Sequence, residues 1–289
     1  MMTNDVALAL SSGGARGLAH IGAILELEAR GYRISSIAGC SMGALVGGVY
    51  AAGKLSEFRE WMKTIDRKRM LELTDFSLSI NHLVKGTRII EAIMEFVPDV
   101  PIEQLPIPYC AVATDWISGR EVVFRSGSLF QAIRASISLP SFYEPVRLKG
   151  MVLIDGGVSN PFPLNRVRRH EGDILVGIDV SGHDYEAQAE MRQELAMKRK
   201  RSSSLSQQIL NRLIPDHIEF NHYTVLSRVN SIQIRQNSLL MAKLMKPDML
   251  VDIQMSRYTT FDFDKSEKLI AIGQRKTRQA IEAFCQPVS

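Results

Sequence analysis

The sequence predicts an α/β fold, a parallel sheet covered by helices, on two observations. The first is the order of elements in residues 1–53: strand, glycine-rich loop, helix, strand, tight turn, helix. The second is glycine usage, because half of the chain's 20 glycines fall in that stretch. Glycine inside helices costs stability, so this density marks places where backbones pass close together.

The elements follow in order. Val6–Leu10 (VALAL) reads as a buried strand, and SSGGARG follows it directly. Leu18, Ile21, Leu25 and Leu27, with alanines between them, keep helical spacing up to Gly31. Ile34–Ala38 is a second strand, feeding a turn at Ser41 and a helix over Met42–Ala52. Residues 54–98 read as mostly helical around Phe58, Trp61, Met62, Ile65 and Met70. After a proline cluster come the strand Tyr109–Thr114 and a hairpin, DWISGREVVF, turning at Ser118-Gly119. The helix SLFQAIRAS, a loop through Pro140 and Pro145, and the strand Met151–Ile154 lead into Asp155-Gly156-Gly157. Ile174–Val180 is another strand, and residues 183–222, with MKRKRSSSLSQ at their centre, read as a polar surface insertion. The chain closes with a strand, Met249–Ile253, and a helix from about Lys265 to Phe284, with Asp264 and Glu267 as its capping box. There is neither an internal repeat nor a clear linker, so a single domain over residues 1–289 is expected.

Composition narrows the function classes. Apolar residues at 45% and charged residues at 23% suit a soluble globular protein with a sizeable core. The uncharged run Met42–Gly53 is far shorter than the ~20 residues that span a bilayer, and the start Met-Met-Thr-Asn-Asp lacks the pattern of a secretory signal. Three widely spaced cysteines, Cys40, Cys110 and Cys285, suggest neither a disulfide framework nor a zinc site, so a cytoplasmic setting is expected. A net charge of +4 tolerates anionic surfaces but has no basic-plus-aromatic motif for nucleic acid.

Three motifs carry chemistry. IAGCSMGAL sets Ser41 between Gly39 and Gly43 at a strand-to-helix junction, the layout of a nucleophile elbow. Gly-x-Ser-x-Gly alone should arise by chance in roughly one chain of this length in ten, so its placement matters more than its letters. SSGGARG fits neither a dinucleotide fingerprint nor a phosphate loop, but it offers backbone N–H groups at a helix start to an anion, including an oxyanion. Asp155 ends an apolar strand and precedes two glycines, which hold its carboxylate at the strand's exit. A serine hydroxyl needs a base. Six histidines are available (His20, His82, His170, His183, His217, His222), none of them just after a late strand as in an ordinary α/β-hydrolase.

Together these residues resemble the patatin-like phospholipases, specifically the bacterial branch related to the catalytic domain of neuropathy target esterase. The resemblance runs through ALALSSGGARGLAHIGAI, IAGCSMGALVGGVYAAG, AVATDWISGREVVFRSG, AIRASISLPSFYEPV, LIDGGVSNPFP and DFDKSEKLIAIG. It implies a three-layer α/β/α sandwich with a central, mainly parallel sheet, and a phospholipid or lysophospholipid acyl ester as substrate. It implies a Ser–Asp dyad without histidine, with Ser41 as nucleophile and Asp155 as base. Gly13, Gly14 and Ala15 would supply oxyanion-hole amides, Arg16 takes the basic loop position, and Gly17, Gly39, Gly43, Gly156 and Gly157 complete the motifs. No metal or cofactor is implied. Apart from the resemblance, any membrane contact is expected to be peripheral, and the run Lys198–Arg201 reads either as a dock for an anionic surface or as a solvated charged face. The chain departs from the family loop in opening it with Ser11 and Ser12 instead of further glycine. Two rival readings remain at this level: a histidine-dependent esterase, and a non-catalytic protein that keeps the fold.

Overall fold

The computed structural model describes residues 4–73, 87–140, 142–182, 222–255 and 257–286. Eight strands form one sheet: β1 (Asp5–Leu10), β2 (Arg33–Cys40), β3 (Tyr109–Asp115), β4 (Glu121–Phe124), β5 (Val146–Leu148), β6 (Met151–Asp155), β7 (Ile174–Gly182) and β8 (Met249–Gln254). Hydrogen-bonded neighbours run β5-β6-β3-β2-β1-β7-β8, with β4 also on β3. The stretch β3-β2-β1-β7-β8 is parallel throughout, and β4, β5 and β6 join antiparallel.

The described helices are α1 (Ala19–Ala29), α2 (Met42–Ala51), α3 (Leu55–Lys63), α4 (Arg67–Glu72), α5 (Thr87–Met94), α6 (Leu129–Ser136), α7 (His222–Met245) and α8 (Ser266–Phe284). Strand β1 shows why its sequence is apolar without alternation. Val6, Leu8 and Leu10 face a large core shared with α1, α2 and α8. Ala7 and Ala9 face a second core of Phe162, Leu164 and Leu175, against which Met241, Ala242 and Met245 of α7 pack. A strand buried on both faces reads as a continuous hydrophobic run. The result is the predicted three-layer α/β/α sandwich with a mainly parallel central sheet.

Register does the most to build the site. A strand has two hydrogen-bonding edges. Ala111 and Val112 of β3 pair with both β2 and β4, whereas Ala113 and Thr114 pair with both β6 and β4. β2 and β6 therefore share one edge of β3 and approach from opposite directions. Cys40 stands opposite Val112 and Asp155 opposite Ala113, so the two strands end nose to nose.

Three local expectations are corrected. The loop through Pro140 and Pro145 leads into the short strand β5, which turns into β6 through Lys149 and Gly150, both at positive φ. The Asp264–Glu267 capping box is absent: Lys265 occupies the N-cap of α8 and caps nothing with its side chain, because an ammonium has no lone pair to accept with. The first helix begins as a 3-10 turn over Gly14–Leu18 before α1. The polar insertion at 183–222 lies outside the described residues, except that His222 opens α7.

Candidate active site

Ser41 leaves β2 with φ 54° and ψ −122°, a backbone conformation that non-glycine residues rarely adopt and that stores strain. The turn is possible because Gly39 and Gly43 lie against each other; a Cβ on Gly39 would strike the Gly43 carbonyl, and one on Gly43 would strike the carbonyls of Leu10 and Ser11. Ser41 is the N-cap of α2 yet makes no side-chain cap bond, forgoing roughly 1 kcal/mol of helix stability. Its hydroxyl is committed elsewhere: Oγ donates to Asp155 Oδ2 at 2.6 Å.

Asp155 is held from three sides. The Gly157 amide donates to its Oδ1 at 2.7 Å, its own amide donates to the Ser138 carbonyl at 2.8 Å, and Thr114 Oγ1 donates to its carbonyl at 3.0 Å. Only 4% of Asp155 and 9% of Ser41 are exposed. Burial pushes the Asp155 carboxyl up to about 6, against the hydrogen bonds from Ser41 and Gly157, which pull it down. The C-terminal end of α6 ties the Ser41 turn to β3, since Ser136 Oγ accepts the Ser41 amide at 2.8 Å while donating to the Val112 carbonyl at 2.6 Å.

Gly13 and Gly14 line the cleft in front of Ser41. The Gly13 carbonyl accepts from Arg16 Nε at 3.1 Å. In a trans peptide the N–H points opposite the C=O, so the Gly14 amide is aimed away from Arg16. Gly14 has φ +56°, and the space a Cβ would need is filled by Thr260. Ala15 differs from the expectation: its amide donates to the Thr260 carbonyl at 2.9 Å and so anchors the loop. Arg16 is half-buried and lines the same cleft; burial lowers its pKa while the charge of Asp179 raises it. Gly17 and Gly156 complete the packing, with Met42 and the Val112 carbonyl occupying the positions of their missing side chains.

His20 is fully buried, with Nε2 2.9 Å from the Ser11 carbonyl, and burial lowers its pKa to about 4. A neutral imidazole donating there props the glycine loop from below. The His170 side chain is half exposed beside Asp173, and neither histidine lines the cleft. His82, His183 and His217 lie outside the described residues, and of His222 only the backbone is described.

Several contributors were not legible in the sequence. Asn230, Ser231 and Ile234 of α7 and Thr260 and Phe261 after β8 all border the cleft. Arg235 fastens α7 to the sheet, bonding Asp179 Oδ2 at 2.9 Å on β7 and Asp252 Oδ2 at 2.8 Å on β8. Phe261 packs against Phe142 with the rings tilted by 42° and their centroids 4.7 Å apart. The cleft opens to solvent, and its empty space, mouth included, is about 910 Å³. A hydroxyl bonded to a buried carboxylate, in a cleft also lined by Gly13 and Gly14 at the start of a helix, has the parts for acyl transfer.

A model of the patatin-like phospholipase family matches residues 8–167. An uncharacterized NTE family protein of Mycobacterium tuberculosis is 33% identical, covering 96% of this chain and 92% of its own length. Neuropathy target esterase sws of Drosophila melanogaster is 31% identical over 63% of this chain and only 13% of that much longer protein. Among solved structures, VipD from Legionella pneumophila has a TM-score of 0.48 at 13% identity, covering 98% of this chain and 67% of its own; the sequence matches, not this one, carry the assignment. On the family model and the mycobacterial relative, the chain belongs to the patatin-like phospholipase family.

Proposed function

We propose that the chain is a lipid acyl ester hydrolase in which Ser41 is the nucleophile and Asp155 its base, acting on a phospholipid or lysophospholipid. Lipid ester hydrolysis is what the family supports in general; the roles of these residues are the proposal. The observation that carries it is the 2.6 Å bond from Ser41 Oγ to a buried carboxylate whose pKa stands near 6.

Ser41 Oγ attacks the ester carbonyl as Asp155 takes its proton. The new O–C bond forms, negative charge collects on the carbonyl oxygen, and the Gly13 and Gly14 amides and the positive end of α2 stabilise it. The intermediate collapses by breaking the bond to the alcohol, which leaves with the proton from Asp155. Water then repeats the sequence on the acyl-serine: Asp155 accepts the water's proton, a hydroxyl adds to the carbonyl, and the serine leaves protonated. An ordinary carboxylate near 4 is a weak base for this task; burial brings it closer to the working pH.

The test is labelling and pH dependence together. A fluorophosphonate should derivatise Ser41, located by peptide mass. For a neutral ester, kcat/KM should fall below about pH 6, as Asp155 gains a proton, and level off above it. A rate indifferent to pH between about 4 and 8 (about two units either side of this value) would remove Asp155 as the base.

Peripheral contact with a lipid surface belongs to this reading. Among the described residues no helix is long and apolar enough to cross a membrane. The basic run Lys198–Arg201 lies outside the described residues, but α7 supports such contact independently. It contains no acidic residue, and it exposes Leu226, Val229 and Ile232 beside the cleft residues Asn230 and Ser231. Changing Leu226 and Val229 to Asp should weaken sedimentation with anionic vesicles, roughly tenfold for losing two partly inserted apolar side chains. Unchanged sedimentation would take this helix out of membrane contact.

A further inference from the structure

The hairpin between β3 and β4 carries an apolar apex. Trp116 and Ile117 stand 66% and 69% exposed there, although tryptophan is among the more buried residue types on average. The apex is held in shape from beneath. Asp115, itself buried, accepts from the Ser118 hydroxyl at 2.6 Å and the Ser118 amide at 3.2 Å. It also accepts from the amides of Ile117 at 3.4 Å and Val152 at 3.2 Å. The Trp116 amide donates to the Val152 carbonyl at 2.7 Å, and Gly119 turns the chain at φ +69°. These bonds fix the turn and leave both apolar side chains in water, so much of the ordering that docking them requires is already done.

Charge and position say what the apex fits. Arg120 closes the hairpin, its carbonyl accepting the Asp115 amide at 2.9 Å. Arg147 pairs with Val152 across β5 and β6, and Lys149 forms the turn beside it at φ 47°. All three side chains are exposed, and they pair with no carboxylate among the described residues. Two apolar groups ringed by three cations match a surface that is anionic outside and apolar beneath. Because β2 and β3 are parallel, the apex stands at the end of the sheet where Ser41 leaves β2. Cys40 is level with Val112, and Trp116 comes four residues later, about 13 Å further on at ~3.3 Å per residue.

We propose that this apex docks on an anionic lipid surface: Trp116 and Ile117 enter the boundary between headgroups and acyl chains, and Arg120, Arg147 and Lys149 face the lipid phosphates. Tryptophan suits that boundary, with an apolar body and one polar N–H, and cations beside it add attraction that salt weakens. The proposal rests on the substrate being a lipid, and it adds the orientation in which the protein meets it. Ser41 is then held back from the surface by about the same 13 Å, so a lipid rises partway out of its leaflet to reach it.

Vesicles of ether-linked phosphatidylglycerol or phosphatidylcholine, which an esterase cannot cleave, test this. The chain contains only two tryptophans, Trp61 and Trp116, so a Trp61→Phe protein reports Trp116 alone. Phosphatidylglycerol vesicles should shift its emission to the blue, phosphatidylcholine should shift it less, and added salt should narrow the difference. Changing Trp116 and Ile117 together to Ser should lower sedimentation with phosphatidylglycerol vesicles at least tenfold. Changing Arg120, Arg147 and Lys149 to Gln should do so at low salt only. Both variants should keep wild-type kcat/KM on a soluble short-chain ester. Emission unmoved by phosphatidylglycerol, equal sedimentation with both lipids, or a Ser double variant that sediments like wild type overturns the proposal. If Trp61→Phe does not fold, sedimentation decides alone, since it needs no change at Trp61. If no ester is hydrolysed, the hydrolase reading falls, and emission and sedimentation still decide the dock.

Discussion

Ser41→Ala and Asp155→Asn should each lower ester turnover by ~10,000-fold or more while the protein stays folded, because nucleophile and base act as one unit. The double variant should be no worse than either single one. The two differ in what they do to the fold. Asp155 titrates near 4 in the unfolded chain and at about 6 in the folded one. A raised folded pKa favours the protonated state, so its stabilising contribution is complete below about pH 4 and disappears as pH rises through about 6. At neutral pH the ionised carboxylate thus costs the fold on the order of 3 kcal/mol. Asparagine keeps an acceptor for the Gly157 amide and presents a donor to Ser41 without a charge. The Asp155→Asn protein should therefore melt several degrees above wild type at neutral pH, with the gap closing toward pH 4. Ser41→Gly should also gain stability, roughly 1 kcal/mol, by relieving the positive φ. Equal melting of wild type and Asp155→Asn at both pH values would show that burial does not set the basicity of this carboxylate.

Gly14→Val should cost about a hundredfold in kcat, the effect of losing one oxyanion donor, ~3 kcal/mol. Two causes act together. The residue sits at φ +56°, and the position of a Cβ is taken by Thr260, whose carbonyl holds the next amide, that of Ala15. A branched side chain must push the 259–262 loop outward or rotate the Gly13–Gly14 peptide, and either misdirects the donor. Circular dichroism checks the fold and steady-state turnover of a soluble short-chain ester reads the effect. A folded variant turning over at wild-type speed would remove this loop from the reaction.

The parts legible in the sequence are those with a short-range signature. VALAL, the glycine loop, the elbow and the Asp-Gly-Gly exit each declare themselves within a dozen residues, and the parallel sheet follows from their order. What stayed hidden depends on partners far apart in the chain. Ser136 reads as one more serine in RASISLP until β2 and β3 bring the Ser41 amide and the Val112 carbonyl to it. Arg235 reads as a helix-surface charge until β7 and β8 set Asp179 and Asp252 beside it. The resemblance groups Ala15 with Gly13 and Gly14, and only the loop after β8 shows where its N–H goes. The capping box failed for a local reason, a competing 3-10 turn over Phe263–Lys265 that moved the helix start.

The nose-to-nose meeting of β2 and β6 also sets a timetable. Ser41 leaves the ribosome 114 residues before Asp155, an interval of roughly 6 to 23 s at ordinary elongation rates of ~5–20 residues per second. Throughout it the nascent chain carries the serine without the carboxylate, and the glycine loop still lacks Thr260, which is made later. On the proposed roles of Ser41 and Asp155, a chain stalled or cut short before β6 lacks the base that the reaction needs. On that reading, hydrolytic capacity waits until both Asp155 and Thr260 have been made.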